Sequence, residues 1–187
     1  CLALKKFLEY AVAEHRQPQA FIVPEKDYLR IRGADGKSRK KAVLTDAEVL
    51  ELIRVLPETW GNIIKICRVF GVRSWEVAFI TRATNDDDEP QLRVTKGKTY
   101  NTRGGVKEET DPRWLEAVAV DGSTFNLVES WDQLKLPPTV SGKTLGNVLR
   151  RLPYWQKLMG EYKARGEWLR PYSFRDTFSV RAHTIVM

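Results

Sequence analysis

The chain of 187 residues suits one medium-sized domain, or one domain with the edge of a neighbour. Apolar residues make up 42% of it, and six Trp and seven Phe argue against a disordered chain. It contains no apolar run of about 18 residues, so we expect no membrane-spanning segment and no membrane partner. The net charge of +7 and the pI near 9.5 indicate a polyanionic partner, with nucleic acid the first candidate.

Cysteine and histidine usage bears on metal binding and on compartment. Cys1 and Cys67 lie far apart in the sequence and fit no metal-ligand spacing, and the chain has only two histidines. We therefore predict no metal site and no cofactor, in a reducing compartment. The start at Cys1, without an initiator Met or a signal-peptide pattern, leads us to expect a fragment of a longer protein.

The basic residues are grouped in separate stretches. Residues 26–43 hold seven Lys or Arg against two acids, residues 91–107 hold five against none, and residues 143–187 hold nine against three. The acids gather instead in residues 86–89, with the sequence DDDE, which is typical of a solvated loop. This distribution predicts a chain that wraps partly around a phosphate backbone.

The first part of the chain predicts a helix followed by a linker. Residues 2–15 carry apolar side chains at helical spacing, and Pro18 and Pro24 end that pattern. Residues 25–43 are basic and contain two glycines, which indicates a linker or an extended arm. We place a domain boundary there.

The next segment predicts three helices in succession. Thr45 and Glu48 have the spacing of a capping box, which marks the start of the first helix. A second helix is predicted over about residues 60–70, and Gly71 suits its C-terminal turn. A third helix is predicted to begin near Ser74 and to include Ile80.

Residues 91–106 change character, because strand-forming residues there are punctuated by glycines. They predict a small antiparallel hairpin. Residues 113–119 predict a short helix, and Asp121-Gly122 predicts a turn.

Helices are predicted again over about residues 141–152, capped by Ser141, and over residues 154–165. A final helix is predicted from Ser173, with a cap that pairs with Asp176. The fold class predicted for the chain is therefore mainly α with a small antiparallel β-sheet.

Three short stretches place basic or hydroxyl side chains at turns and helix starts. In FGVRSWE, Arg73 follows a glycine turn at the start of a helix, and Glu76 lies one turn ahead. In TKGKTYNTR, Lys96 and Lys98 flank a glycine in the predicted hairpin. In LRPYSFRDTF, Tyr172 and Arg175 flank a helix start, where backbone N–H groups favour an anion. Each stretch taken alone also fits an ordinary solvated surface.

The ordered set of stretches resembles the catalytic domain of the tyrosine recombinases, the phage-integrase family. The resemblance covers about residues 45–187. LTDAEVLELI is similar to the family's domain opening, GVRSWEVAFI to its first-arginine box, KGKTYNTR to its lysine hairpin, and LRPYSFRDTFSVRAH to its second-arginine box. The resemblance implies an integrase-like catalytic fold over residues 44–187, without its C-terminal part. It also implies that residues 1–24 end an upstream helical DNA-binding domain and that residues 25–43 are a basic linker.

The resemblance implies a role for each site residue. Arg73 and Arg175 would clamp the scissile phosphate, supported by Glu76. Lys98 would be the general acid that protonates the leaving 5′ oxygen, and Lys96 is the alternative, less favoured because family lysines often follow Gly or precede Thr. A tyrosine would form a 3′-phosphotyrosyl ester. Further contacts with DNA would come from Lys96, Arg103 and Lys107.

The sequence departs from the family pattern in two places. Tyr172 stands where the family usually has histidine; a tyrosine hydroxyl can hydrogen-bond a phosphate oxygen but is a poor base near neutral pH. No tyrosine follows Tyr172, and His183 is too close to Arg175 to be the third-box residue. We therefore expect this chain, as written, to bind DNA without cleaving it.

Three functional readings follow. The first is a site-specific recombinase or integrase of bacterial or phage origin, cytoplasmic and nucleoid-associated. It would act on double-stranded DNA as a homotetramer on paired sites when full length, with this fragment monomeric. The second is a non-enzymatic DNA-binding protein on the same scaffold. The third is an unrelated basic helical module, for example one that binds RNA, in which Arg73, Lys98 and Arg175 would not converge.

Overall fold

A computed structural model of the chain describes residues 40–97, 100–101, 107–108 and 111–186. The chain divides into two units, Cys1–Arg39 and Lys40–Met187, and all described residues belong to the second. The predicted helix over residues 2–15 and most of the predicted linker lie outside the described residues. None of the described helices combines the length and the apolar character that crossing a membrane requires.

The described unit is a mixed α/β fold in which about half of the residues are helical. Its α-helices are α1 (Asp46–Val55), α2 (Glu58–Phe70), α3 (Gly142–Arg150), α4 (Pro153–Ala164) and α5 (Ser173–Val186). Two 3-10 helices span Ser74–Phe79 and Trp131–Gln133. The strands are β1 (Lys40–Lys41), β2 (Ile80–Thr84), β3 (Pro90–Val94), β4 (Tyr100–Asn101), β5 (Lys107–Glu108), β6 (Arg113–Trp114) and β7 (Glu167–Trp168).

The start of α1 confirms the predicted capping box. The Thr45 hydroxyl accepts a hydrogen bond from the Glu48 backbone N–H at 3.2 Å, and the Glu48 carboxylate accepts one from the Thr45 N–H at 2.7 Å. The predicted second helix is also confirmed, although it begins two residues earlier than residue 60. It ends at Gly71, whose φ of 61° lies in the left-handed region that suits glycine.

Helix α2 supplies much of the core. Ile63, Ile64, Ile66 and Val69 are fully buried, and the helix packs against both α1 and α5. Burial of aliphatic side chains of this size favours folding by roughly 1.5–3 kcal/mol each. Tertiary packing therefore holds α2 in place. The position of Gly71, where the chain leaves the helix, is fixed with it.

A buried charge pair adds a polar link between these helices. Arg68 in α2 is fully buried, and Asp46 accepts a hydrogen bond from it at 3.0 Å. Burial lowers the pKa of Arg68, and the contact with Asp46 counteracts that effect. The second oxygen of Asp46 lies 2.8 Å from Arg181 in α5, and it accepts a hydrogen bond from the Asp121 N–H at 3.1 Å.

The main sheet is antiparallel, with strand order β2-β3-β6. The predicted third helix begins at Ser74 as expected, but it is a six-residue 3-10 helix, and Ile80, which was expected to belong to it, begins β2. The acidic residues 86–89 lie at the turn of the β2–β3 hairpin, where the Asn85 side-chain oxygen accepts hydrogen bonds from two backbone N–H groups. Strands β4 and β5 form a separate antiparallel pair, in which β4 lies inside the predicted hairpin of residues 91–106 and β5 just beyond it.

The predicted short helix over residues 113–119 is wrong. Arg113–Trp114 is strand β6, and the chain beyond it is irregular. The N–H of Leu115 donates to the carbonyl of Leu92 at 2.9 Å, and the N–H of Val118 donates to that of Val69 at 2.8 Å. These tertiary hydrogen bonds take the donors that a helix would have used. The predicted turn at Asp121-Gly122 is confirmed.

Strands β1 and β7 pair in parallel, with Lys40 opposite Glu167 and Lys41 opposite Trp168. Ala42, which follows β1, is fully buried. The Leu44 N–H then donates to the Thr177 hydroxyl at 2.9 Å. Residues 40–43, the end of the predicted linker, are thus part of the folded unit.

The predicted cap between Ser173 and Asp176 is wrong, although α5 begins at Ser173 as expected. The Tyr172 carbonyl accepts the N–H groups of Arg175 and Asp176, at 3.0 and 3.2 Å. The Ser173 hydroxyl instead accepts the Arg170 N–H at 3.1 Å. The Asp176 carboxylate is drawn away because it pairs with two cations, from Lys41 and Arg170. The predicted Ser141 cap of α3 is confirmed.

We predict that Gly71→Ala lowers the free energy of unfolding by about 2–5 kcal/mol. An alanine at this position would have to adopt a left-handed φ, and its methyl group would overlap the ring of Phe178. Urea denaturation measures the loss. The matched control is Gly160→Ala in α4, where an added Cβ meets nothing within 4 Å and helix propensity improves stability slightly. Equal effects of the two substitutions would contradict this account.

Candidate functional site

A buried carboxylate, that of Glu76, lies at the centre of the candidate site. Its side chain is 1% exposed. One oxygen, Oε1, accepts a hydrogen bond from Arg73 Nη1 at 2.6 Å, and the other, Oε2, accepts one from the Arg73 backbone N–H at 2.7 Å. The 3-10 helix Ser74–Phe79 creates this geometry, because its first turn, in which the Glu76 N–H donates to the Arg73 carbonyl at 2.9 Å, brings residue 76 back over residue 73. The predicted support of Arg73 by Glu76 is thus present in the structure.

Two further arginines reach the same carboxylate from distant parts of the chain. Arg113, in β6, donates from Nη2 to Glu76 Oε2 at 3.0 Å. Arg175, in the first turn of α5, places Nη1 3.7 Å from the same oxygen. Three guanidinium groups therefore share one carboxylate, and their charges exceed its single negative charge by two.

The electrostatics of the cluster favour the charged forms of Glu76 and Arg73. Burial alone would raise the pKa of Glu76, but the N–H and guanidinium of Arg73 and the charge of Arg113 lower that pKa below its ordinary value. Burial also acts to lower the pKa of Arg73. The hydrogen bond and charge of Glu76, together with the Tyr172 hydroxyl, more than offset it, so that the pKa of Arg73 is raised.

Two of these arginines line a pocket of about 200 Å³. Tyr172 also lines it, and its ring centre lies 5.7 Å from the Arg175 guanidinium carbon. The remaining walls come from Cys67, Val72, Ser74, Trp75, Gly142 and Pro171. Burial raises the pKa of the Cys67 thiol to about 12, and the charge of Glu76 adds to that effect. This thiol is therefore neutral near pH 7 and unsuited to act as a nucleophile.

The predicted lysines and the remaining basic residues are placed differently. Lys96, just after β3, lies with Nζ 5.7 Å from the ring centre of Phe79, which packs edge-on against Trp75 in the pocket wall. Lys96 itself is not among the residues that line the pocket. Lys98 and Arg103 lie outside the described residues, and of Lys107 only the backbone, in β5, is described.

The structure thus brings together Arg73, Glu76, Tyr172 and Arg175 from the predicted set. It adds Arg113, which the sequence did not single out. Pro112-Arg113-Trp114 carries no motif, and a helix was predicted there, so nothing indicated that Arg113 would lie beside Glu76.

Comparison with known proteins found no matching family model, no matching curated protein and no matching solved structure. The candidate site accordingly rests on the geometry and charge of its own residues. Among the residues that the structure describes, no group of three or more His, Cys, Asp or Glu side chains could hold a metal ion.

We predict that Glu76→Gln lowers the free energy of unfolding at pH 7 by about 1.5–3 kcal/mol, because it removes the buried counter-charge of three partly exposed guanidinium groups. A carboxylate with a lowered pKa stabilises the fold above its ordinary pKa of 4.5, and that contribution disappears as the pH falls through the lowered value. The difference between the parent chain and the variant should therefore be constant near neutrality and shrink below about pH 4.5.

Urea denaturation over a pH series measures this difference. The control is Glu51→Gln, which removes an exposed carboxylate that pairs with Arg54 on the same helix and should change stability little. A difference that stayed constant down to pH 3 would contradict the role assigned to the charge of Glu76.

Proposed function

We propose that this chain is the catalytic-domain part of a site-specific DNA recombinase of the tyrosine class, an enzyme that breaks and rejoins strands through a 3′-phosphotyrosine intermediate. One observation carries the proposal. Arg73 and Arg175, about a hundred residues apart in sequence, line one pocket and approach one buried carboxylate. The two arginine boxes of the recombinase resemblance require such a convergence.

The geometry of arginine supports a phosphodiester as the bound group. A planar guanidinium presents two parallel N–H donors that match two phosphate oxygens. Arg73 and Arg175 retain about a quarter of their side-chain surface, 26% and 27%, while Glu76 is buried beneath them. Glu76 therefore contacts the guanidinium groups on their buried side, and the exposed part of each guanidinium is left for a ligand in the pocket.

The charge of the cluster supports the same ligand. A DNA phosphodiester carries one negative charge, and negative charge grows on its non-bridging oxygens as the attacking oxygen adds. A site with two surplus positive charges stabilises that growing charge more than it stabilises the ground state, which is the requirement for catalysis. The basic composition of the whole chain would add attraction for the flanking DNA backbone.

The remaining roles are assigned as follows. Tyr172 lies beside both guanidinium groups and would donate its hydroxyl to a phosphate oxygen, so it positions the phosphate and does not act as base. Lys98 would be the general acid for the leaving 5′ oxygen, with Lys96 as the alternative. The attacking tyrosine would come from elsewhere in the natural polypeptide or from another protomer. The proposed partner is double-stranded DNA, bound by a tetramer on paired sites.

A covalent-capture experiment tests this function. The natural polypeptide that contains this chain is incubated with fragmented DNA from its source organism and denatured, and the DNA that remains attached to protein is sequenced. We expect attached DNA with a shared sequence. We also expect Arg175→Ala to reduce the yield by about 10²–10³, because it removes one donor to the transition state.

Arg54→Ala is the matched control, since Arg54 is an exposed arginine in α1 that contacts Glu51 and does not line the pocket. It should leave the yield unchanged. If no DNA is attached covalently while DNA binding persists in all three proteins, the chain is a non-enzymatic DNA-binding protein and the proposed function is wrong.

A further inference from the structure

The hydrogen bonds at one oxygen of Glu76 assign a role to Arg113. Oε2 accepts the Arg73 backbone N–H at 2.7 Å and Arg113 Nη2 at 3.0 Å. A carboxylate oxygen has two lone pairs in its plane, so these donors occupy both acceptor directions. Arg175 Nη1 approaches the same oxygen but stops at 3.7 Å, which is beyond hydrogen-bond distance.

Arg175 consequently retains a donor that it does not use. Its Nη1 is buried and has no hydrogen-bond partner among the residues that the structure describes. A buried, unpaired donor on a cation is costly, and it would move to any free acceptor within reach. Glu76 Oε2, 3.7 Å away, would become that acceptor if one of its two present donors were removed.

We propose that Arg113 is a positioning residue for the phosphate clamp: by occupying the second acceptor direction of Glu76 Oε2, it prevents Arg175 from locking onto the carboxylate and keeps that guanidinium available to the DNA phosphate. The identity of the anion rests on the function proposed above, whereas the competition between the two arginines for one oxygen does not.

Two observations support a role of Arg113 through Glu76 and not as a direct contact to the ligand. Arg113 is not among the residues that line the pocket, unlike Arg175. It lies in β6, where its backbone pairs with Val94 and its guanidinium, 41% exposed, contacts the pocket's supporting carboxylate. Removal of Arg113 should therefore change what Arg175 binds without removing a pocket wall.

The first test is chemical labelling of arginine by phenylglyoxal, with the rate at Arg175 followed by peptide mass spectrometry in the absence of DNA. In Arg113→Ala, the freed Oε2 accepts Arg175 Nη1, and we expect labelling at Arg175 to slow about tenfold. Arg93→Ala is the matched control, because it removes the same charge from the neighbouring strand, where Arg93 lies over the Trp114 ring. That variant should label Arg175 at the parent rate.

Arg113→Lys restores a cationic donor beside Oε2 and should recover most of the labelling rate. It also provides a variant that keeps the charge of the sheet if the alanine variant folds poorly. Unchanged labelling of Arg175 in both Arg113 variants would overturn the inference.

The second test measures the affinity for a short DNA duplex. Arg113→Ala should weaken binding about tenfold more than Arg93→Ala, and it should add nothing when Arg175 is already replaced by alanine, because it acts through that residue. Additive losses in the double variant would overturn the inference. If labelling responds as expected but neither the parent chain nor any variant binds DNA, the positioning role of Arg113 holds and the proposed function fails.

Discussion

The candidate site depends on one buried carboxylate with more positive neighbours than it can neutralise. Glu76 is placed by the first turn of a 3-10 helix, and it lies beside Arg73 at the start of that helix, Arg113 in β6 and Arg175 in α5. A buried charge of this kind is tolerated only when its hydrogen bonds are made. The hydrogen bonds of Glu76 therefore tie the 3-10 helix to β6 through Arg113, and α5 contributes a positive charge at 3.7 Å. A shift of β6 away from the 3-10 helix would cost the buried carboxylate one of its hydrogen bonds.

Local signals in the sequence were enough to predict most of the helices. The capping box at Thr45, the glycine after α2 and the cap at Ser141 are each decided within a few residues, and the structure confirms them. The errors fell where distant contacts compete with local preference. Residues 113–119 have helical character, but their N–H groups bond to carbonyls of β3 and α2. Asp176 has the spacing of a capping residue, but its carboxylate forms ion pairs with Lys41 and Arg170 instead.

The same distinction applies to the site. Arg73 and Glu76 are three residues apart, so the sequence could indicate their contact directly. The sequence pattern around Arg175 indicated the third residue of the site. Arg113 could not be found in this way, because its partner lies 37 residues away and becomes a neighbour only through the register of β3 against β6. A long-range pair of this kind has no periodicity or spacing that a single sequence could reveal.

The short parallel pair of β1 and β7 has a mechanical consequence. β7 lies directly before the segment that carries Arg170, Tyr172 and Arg175, and the stretch after β1 is bonded to α5 through Leu44 and Thr177. Tension applied to the backbone at Lys40 would thus load the segment that carries Arg175 before it loads the helical core. Lys40 and Lys41 thus pair with the strand that precedes the Arg175 segment, and the hydrogen bond from Leu44 to Thr177 adds a second link to the helix that carries Arg175.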